Sequence, residues 1–240
     1  MADETEVRYE TGAPVPGWTG AEPVSRDPMQ GRYCTLELMD PERHGDDLFA
    51  VFQRGDDVRD WLYLPYGPFG THADFDAWIG KFSGLDDPLF FAIREGAGGR
   101  TVGVASYLNI GQAMGTIEVG HIHFSPAIQR SPVATEAMYL MMRRAFESGY
   151  RRYEWKCDSC NLRSRRAAQR FGFSWEGLFR QHYVVKGRNR DTAWFACIDG
   201  EWPALKAAYE TWLEPDNFDA KGRQRQSLSE LTAPIVRREP

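Results

Sequence analysis

"IEVGHIHFSPAIQRSPVATEAM", residues 117–138, decides the fold. Its first third reads as the core of a strand over "GTIEVGHIHFS", residues 115–125. Its last third opens a helix over "SPVATEAMYLMMRRAFESGY", residues 131–150, with Pro132 in the first turn. Ala134, Met138, Met141, Met142, Ala145 and Phe146 form the apolar side of that helix, and Gly149 suits a left-handed stop. Between strand and helix lies the loop "QRSPVATEA". Its amides and the helix dipole can hold a pyrophosphate.

Working outward, the same alternation predicts neighbouring strands. "LFFAIRE" and "TVGVASYLNI" precede the quoted strand, separated by "GAGGR" and "GQAMG", and the three form an antiparallel meander. Upstream, "RYCTLELM" is a first strand. "PERHGDDLFAVFQRG" and "THADFDAWIGKF" are helices, the second capped by Thr71 and striped by Phe75, Trp78, Ile79 and Phe82. "WLYLPYGPFG" between them carries Pro65 and Pro68 and supports neither helix nor strand. Downstream come a strand, "RRYEWKC", a helix capped by Asn161 and closed by Gly172, a hairpin around Gly187 and a closing helix, "EWPALKAAYETWL". This order is a mixed α/β domain of the α+β type over residues 31–213. Residues 1–30 are proline-rich and aperiodic, an extended arm or disorder. Residues 214–240 are a polar tail expected to be loosely held.

Composition limits the function. The 240 residues are 42% hydrophobic with eight tryptophans, ample for a packed core, and 26% are charged. A net charge of −5 argues against a nucleic-acid partner through bulk electrostatics. No run approaches the roughly 18 apolar residues of a membrane span. The first residues lack the basic and apolar regions of a secretory signal, which points to the cytoplasm and reduced cysteines.

The middle of the chain resembles the GNAT acyl-CoA N-acyltransferases, in particular the branch of the ribosomal-protein alanine acetyltransferases. "IEVGHIHFSPAIQRSPVATEAM" resembles that branch's Glu-x-Gly strand, loop and Ala-Thr-Glu-Ala helix. "NLRSRRAAQRFGFSWEGLFR" resembles its Asn-x-x-Ser, Gly-Phe, Glu-Gly and Arg signature, and "GRNRDTAWFACI" its last hairpin. The resemblance spans about residues 32–200. It implies a central, mostly antiparallel twisted sheet of about seven strands flanked by helices. It also implies direct acetyl transfer from acetyl-CoA, without metal, to a primary amine of a small molecule or a protein N-terminus, by a monomer or homodimer.

The same resemblance assigns residues. Phe124, Gln129, Arg130, Ser131, Val133, Ala134 and Arg166 would contact the coenzyme, and Asn161 its pantetheine arm; Arg163, Arg165, Arg166 and Arg170 make their helix basic, a solvated face by default, and some of them can attract the coenzyme's 3′-phosphate. Ser164 would protonate the leaving thiolate and also contact the coenzyme. The loop departs from the family pattern, because Arg130 and Pro132 stand where glycines are usual and Pro132 has no amide hydrogen. Arg130 can replace the lost attraction as a side-chain charge. For the base, Glu118 matches a glutamate of the branch. His121 and His123 share one strand face, opposite Glu118 unless the strand bulges as it does in the family. A histidine's ordinary pKa near 6.5 suits a proton acceptor, and strand packing is the other reading. Tyr183 falls near a catalytic position of relatives or is an aromatic core residue.

Two other readings compete. Cys157 and Cys160 form a Cys-x-x-Cys at a strand–helix junction, where thiol pKa values fall, but the surroundings are not those of a redox protein. A coenzyme-binding regulatory module without catalysis is favoured by the missing loop glycines. The acceptor is expected over the first two helices and the last hairpin. There Asp56, Asp57 and Asp60 can attract a cation, and Trp61, Tyr63 and Tyr66 can pack its carbon skeleton.

Overall fold

Apolar residues at alternate positions build strands that bury side chains on two faces, so the sheet needs helices on both. The computed structural model describes residues 11–53, 61–96 and 98–239. Among them, eight strands form one sheet: β1 (Met29–Gln30), β2 (Cys34–Leu38), β3 (Leu89–Glu95), β4 (Thr101–Gly111), β5 (Thr116–Phe124), β6 (Arg152–Asp158), β7 (Ser174–Val185) and β8 (Arg188–Ile198). Their order is β1-β2-β3-β4-β5-β6-β8-β7. Only β5 and β6 pair in parallel. A parallel neighbour demands a crossover, and α3 (Pro132–Glu147) supplies it. The expected meander is β3-β4-β5. The strand beyond the expected seven is β1, which the N-terminal segment contributes by pairing Met29 with Leu36.

The helices are α1 (Pro41–Gln53), α2 (His72–Phe82), α3, α4 (Leu162–Arg170), α5 (Trp202–Leu213) and α6 (Leu228–Thr232). One core lies between the sheet and α3 and α5. Ala137, Met138, Met141 and Met142 meet Phe91, Tyr107, Tyr153 and Phe195 there. A second, aromatic core lies on the other face under α1 and α2, where Leu48, Phe52, Phe75, Trp78 and Ile79 cover Phe90 and Val104. Local signals behave as their chemistry requires. Thr71 accepts from the Asp74 amide at the start of α2, Gly149 takes φ +82 after α3, and Lys186–Gly187 turns the β7–β8 hairpin with both φ values positive.

The described segments on either side of the domain are held against it. Trp18 donates from Nε1 to Ala113 O at 2.9 Å, and the Ala21 amide donates to Gln112 O at 2.9 Å, so residues 18–30 run as an arm from the β4–β5 connection along α3 to β1. The tail is not loose. Ser227 and Glu230 close a capping box on α6, and Leu228 and Thr232 are fully buried. Its polar composition hides an apolar anchor, Leu228, buried where α6 meets α5 and α4, with Phe218, Leu231 and Ile235 packed against the same core.

One buried carboxylate joins the sheet to the crossover helix. Glu136 accepts from the amides of Arg32 at 2.8 Å, Tyr33 at 2.6 Å and Cys34 at 2.8 Å. These are amides that no strand partner takes at the start of β2, and Gly31 must be glycine because a Cβ would lie 2.3 Å from the carboxylate. Replacing Glu136 leaves buried donors unpaired. Glu136→Ala is expected to lower unfolding stability by about 3 kcal/mol in urea denaturation, with the folded spectrum retained.

Candidate active site

The geometry of the site follows from where one ladder stops. β5 and β6 pair from Thr116–Arg152 to Val119–Trp155 and no further, although β5 continues to Phe124 and β6 to Asp158. Two helices start from the loops beyond these carboxyl ends, α3 after β5 and α4 after β6. Ligands of open sheets bind at such carboxyl ends, where helix N-termini converge.

The strand bulges here. Ser106 faces Gly120 while Val104 faces His123, so β5 carries one extra residue, and His121 takes φ +50. The bulge reverses the alternation. Ile117 and Val119 face the α3 core, and Ile122 and Phe124 still pack against it. Glu118, His121 and His123 therefore share the opposite face.

Glu118 is 5% exposed. Its Oε2 accepts from Asn109 Nδ2 at 2.7 Å and meets Lys156 Nζ at 2.9 Å. Lys156 also pairs with Glu154 at 2.7 Å and stands 4.0 Å over the Trp194 ring. Burial raises the Glu118 pKa above the ordinary carboxylate value, against the pull of the Lys156 ammonium. Lys156 was not among the sequence candidates. The polar positions 152, 154 and 156 of "RRYEWKC" carried its signal, since they must share one face.

The histidines are enclosed by aromatics. His123 stacks on Trp61 at 4.4 Å and meets the edge of Phe52 at 4.5 Å. His121 stacks on Tyr66, with Nδ1 3.2 Å from the phenol oxygen. Burial pushes each pKa down to about 4, so both rings are neutral at pH 7 and the premise of a value near 6.5 does not apply. Trp61 is 2% exposed and belongs to this core rather than to a binding surface. Tyr63 donates to Cys160 O at 3.1 Å. Asp56, Asp57 and Asp60 lie outside the described residues. Tyr183 is half exposed on β7, with His182 and Arg190 as its aromatic and cationic neighbours, and no described contact links it to Glu118 or Ser164.

On the other side of the gap, Asn161 caps α4 by accepting from the Ser164 amide at 3.1 Å. Ser164 Oγ accepts from Trp155 Nε1 at 2.9 Å, so the hydroxyl is tied to the last residue of β6 that pairs with β5. Cys157 is buried beside it, and burial pushes its thiol up to about 11. Cys160 is exposed, and all four cysteines are free.

In the α3 loop, Gln129 is exposed and donates to Phe124 O at 3.3 Å. Arg130 holds φ +61, the conformation that a glycine adopts freely. The backbone of the family glycine is thus kept at a cost of about 1–2 kcal/mol. Ser131 Oγ donates to Ile128 O and accepts from the Ala134 amide, so it is committed to capping. Val133 and Ala134 are buried. The amides of Gln129, Arg130 and Val133 have no acceptor among the described residues. Three free donors at a helix start fit a pyrophosphate even without an amide on Pro132. Arg166 is exposed, one turn from Arg170, whose Nη2 donates to Thr135 Oγ1 at 3.1 Å. The tip of the β7–β8 hairpin reaches the loop that covers the histidines: Lys186 Nζ donates to Trp61 O at 3.0 Å and Gly67 O at 3.3 Å.

Residues 35–174 match the family model described as an acetyltransferase (GNAT) domain. The fold is similar to a GCN5-related N-acetyltransferase from Brucella melitensis, at 48% identity and a TM-score of 0.89, over 91% of this chain and 100% of that one. It is also similar to a GNAT-family acetyltransferase from Chromobacterium violaceum, at 42% identity and 0.76, over 82% and 98%. The microcin C7 self-immunity acetyltransferase MccE, solved in complex with acetyl-CoA and AMP, shares the fold at 19% identity and a TM-score of 0.62, over 70% and 93%. Among curated proteins, none matches the chain.

The neutral histidines make stability pH-dependent. Between pH 6.5 and 4 the unfolded chain protonates its histidines while native His121 and His123 stay neutral. Folded pKa values below the unfolded ones mean stability is complete above 6.5 and is lost as pH falls toward 4. His123→Phe keeps the ring packing and removes one titration. The drop in urea stability from pH 7 to pH 4.5 should shrink by about 2 kcal/mol in that variant.

Proposed function

The chain belongs to the GNAT acetyltransferase family, and on that premise we propose that it is an acetyl-CoA-dependent N-acetyltransferase that transfers the acetyl group directly to a primary amine. The observation that carries this reading is the gap beyond Val119–Trp155. It is bordered by the free amides of the α3 loop, by Asn161 and Ser164 at the start of α4, and by Glu118 on the opposite strand.

Acetyl-CoA, when bound, would supply the activated thioester, and coenzyme A would leave as the thiol. The α3 loop holds its pyrophosphate through the amides of Gln129, Arg130 and Val133, with the Arg130 guanidinium adding charge. Ser164 accepts the Trp155 N–H, and its hydroxyl, which also bonds the Cys157 thiol, is the proton donor for a thiolate at the gap. Glu118 is the carboxylate closest to this chemistry on the histidine face, and its raised pKa makes it a stronger base than an ordinary glutamate. Lys156 keeps Oε2 engaged, so Oε1, which has no described partner, is the oxygen that takes the proton, directly or through water. The neutral histidines shape the pocket wall. Cys157, a protonated and buried thiol, offers no nucleophile, which supports direct transfer.

The test is acetyl transfer from acetyl-CoA to a panel of amines and N-terminal peptides, read as a mass gain of one acetyl group. Coenzyme binding without any transfer would favour the regulatory reading instead. With an accepted amine in hand, Ser164→Ala is expected to lower turnover about tenfold to a hundredfold. Glu118→Gln should cost more at pH 7, about a hundredfold or beyond, and recover toward pH 10 as the amine loses its own proton. A Glu118→Gln profile parallel to the parent's from pH 6 to pH 10 would remove Glu118 as the base.

A further inference from the structure

From Gly177 to Arg190 the β7–β8 hairpin carries Arg180, Lys186, Arg188 and Arg190 and no aspartate or glutamate, in a protein of net charge −5. Among the described residues no carboxylate lies within ion-pair distance of any of the four, and Lys186 is bonded to carbonyl oxygens alone. Asp191, the next acid along the chain, is spent on the Gln181 amide at 2.7 Å and on Asn189 Nδ2 at 2.9 Å. Like charges gathered on one hairpin repel each other, and an acidic ligand reverses the sign.

β7 is also an edge of the sheet, so one side of its backbone lies open. The strand exposes large hydrophobic side chains: Phe179 is 51% exposed, Tyr183 50% and Val184 80%. Cations on an edge strand can serve to keep copies of a chain apart. That role accounts for the charges but not for the hydrophobic side chains beside them, which such a guard would omit. Hydrophobic groups among cations along an open edge fit a polypeptide that is itself acidic. Behind this strand, Arg190 and Trp194 lie on one face of β8, the face that Lys156 shares. Each keeps one buried side-chain nitrogen, Nε and Nε1, without a partner. Both are donors, and both call for acceptor oxygens.

The hairpin is fixed beside the gap. Near its base the Ser159 amide, in the loop that leads into α4, donates to Asp191 O at 2.8 Å. At its tip Lys186 holds the 61–70 loop. A chain lying along β7 therefore starts next to the elements that carry Ser164 and Glu118.

We propose that the β7–β8 hairpin docks an acidic segment of the polypeptide whose amino terminus receives the acetyl group. The proposal rests on the acetyl-transfer reading above, and it commits the acceptor to a peptide or protein rather than a small molecule. The amino terminus enters the gap. Residues further along lie against β7, with carboxylates at Arg180, Arg188 and Arg190 and apolar side chains on Phe179 and Tyr183. The hairpin adds affinity and leaves the transfer step as it stands.

The experiment is acetyl transfer from acetyl-CoA to two synthetic peptides that share their first residues. In one the following segment is rich in aspartate and glutamate; in the other these are asparagine and glutamine. The acidic peptide should have a kcat/KM about tenfold higher, through KM, and the difference should fade at about 0.5 M salt. Arg180→Glu and Arg188→Glu alter exposed side chains, so the fold is kept. Each should reduce the preference to about threefold or less, and the two together should remove it. Lys221→Glu makes the same charge change at an exposed position outside the hairpin and should leave the preference intact. Equal kcat/KM for the two peptides, a preference that survives the double variant, or a Lys221→Glu effect as large as that of Arg188→Glu would each overturn the docking surface while acetyl transfer stood. So would transfer to small amines but to neither peptide. Absence of transfer to any amine or peptide would overturn the acetyl-transfer reading, and the docking surface with it.

Discussion

A four-residue parallel ladder, Thr116–Val119 against Arg152–Trp155, is the constraint on which the rest depends. An otherwise antiparallel sheet can hold such a pair only through a crossover, so α3 must leave β5 and return to β6. The crossover sets two helix N-termini at one end of the sheet. The bulge at His121 then turns the end of β5, and the backbones cease to pair. The free amides of the α3 loop, the Ser164 hydroxyl and the Glu118 carboxylate are all placed by this one event, from both faces of the sheet.

The open face beyond the aromatic core is built from charge. Glu118, Lys156, Glu154, Arg152 and Glu176 form a chain of ion pairs across β5, β6 and β7. Three carboxylates and two cations alternate, so each buried group is compensated. Lys156 stands over Trp194 between two carboxylates, an arrangement that also suits an ammonium. The chain fills that place with its own lysine, which pairs with Glu118 through Oε2. On the covered side, burial makes His121 and His123 neutral packing groups. Pairing keeps one half of the face ionised; desolvation keeps the other half uncharged.

The segments flanking the family core are structural in a specific sense. The N-terminal arm adds β1 and holds Arg144 through the carbonyls of Ser25 and Pro28. The C-terminal segment buries Leu228 and Thr232 beside α4. Both reach the crossover helix or its neighbour, the elements that carry the loop and the caps. Glu136 does the same from within, tying α3 to the start of β2.

Much of this was legible in the sequence, for physical reasons. Strand alternation and helix periodicity are local, so the meander, the α3 crossover and the β7–β8 hairpin could be read directly. Capping is local too, which is why Thr71, Asn161 and the Gly149 stop stand where chemistry places them. The quoted motifs named the family, and with it the strand, loop and helix of the site. What the sequence could not decide was set by contacts between distant residues. The aromatic enclosure that lowers the histidines' pKa values needs α1, the 61–70 loop and β5 together. Lys156 meets Glu118 only because β6 lies beside β5. The polar tail docks on the domain because Leu228, with Leu231 and Ile235 beside it, packs where α6 meets α5 and α4. Local pattern determines which element each residue joins. Desolvation and charge compensation act across elements, and only the assembled fold settles them.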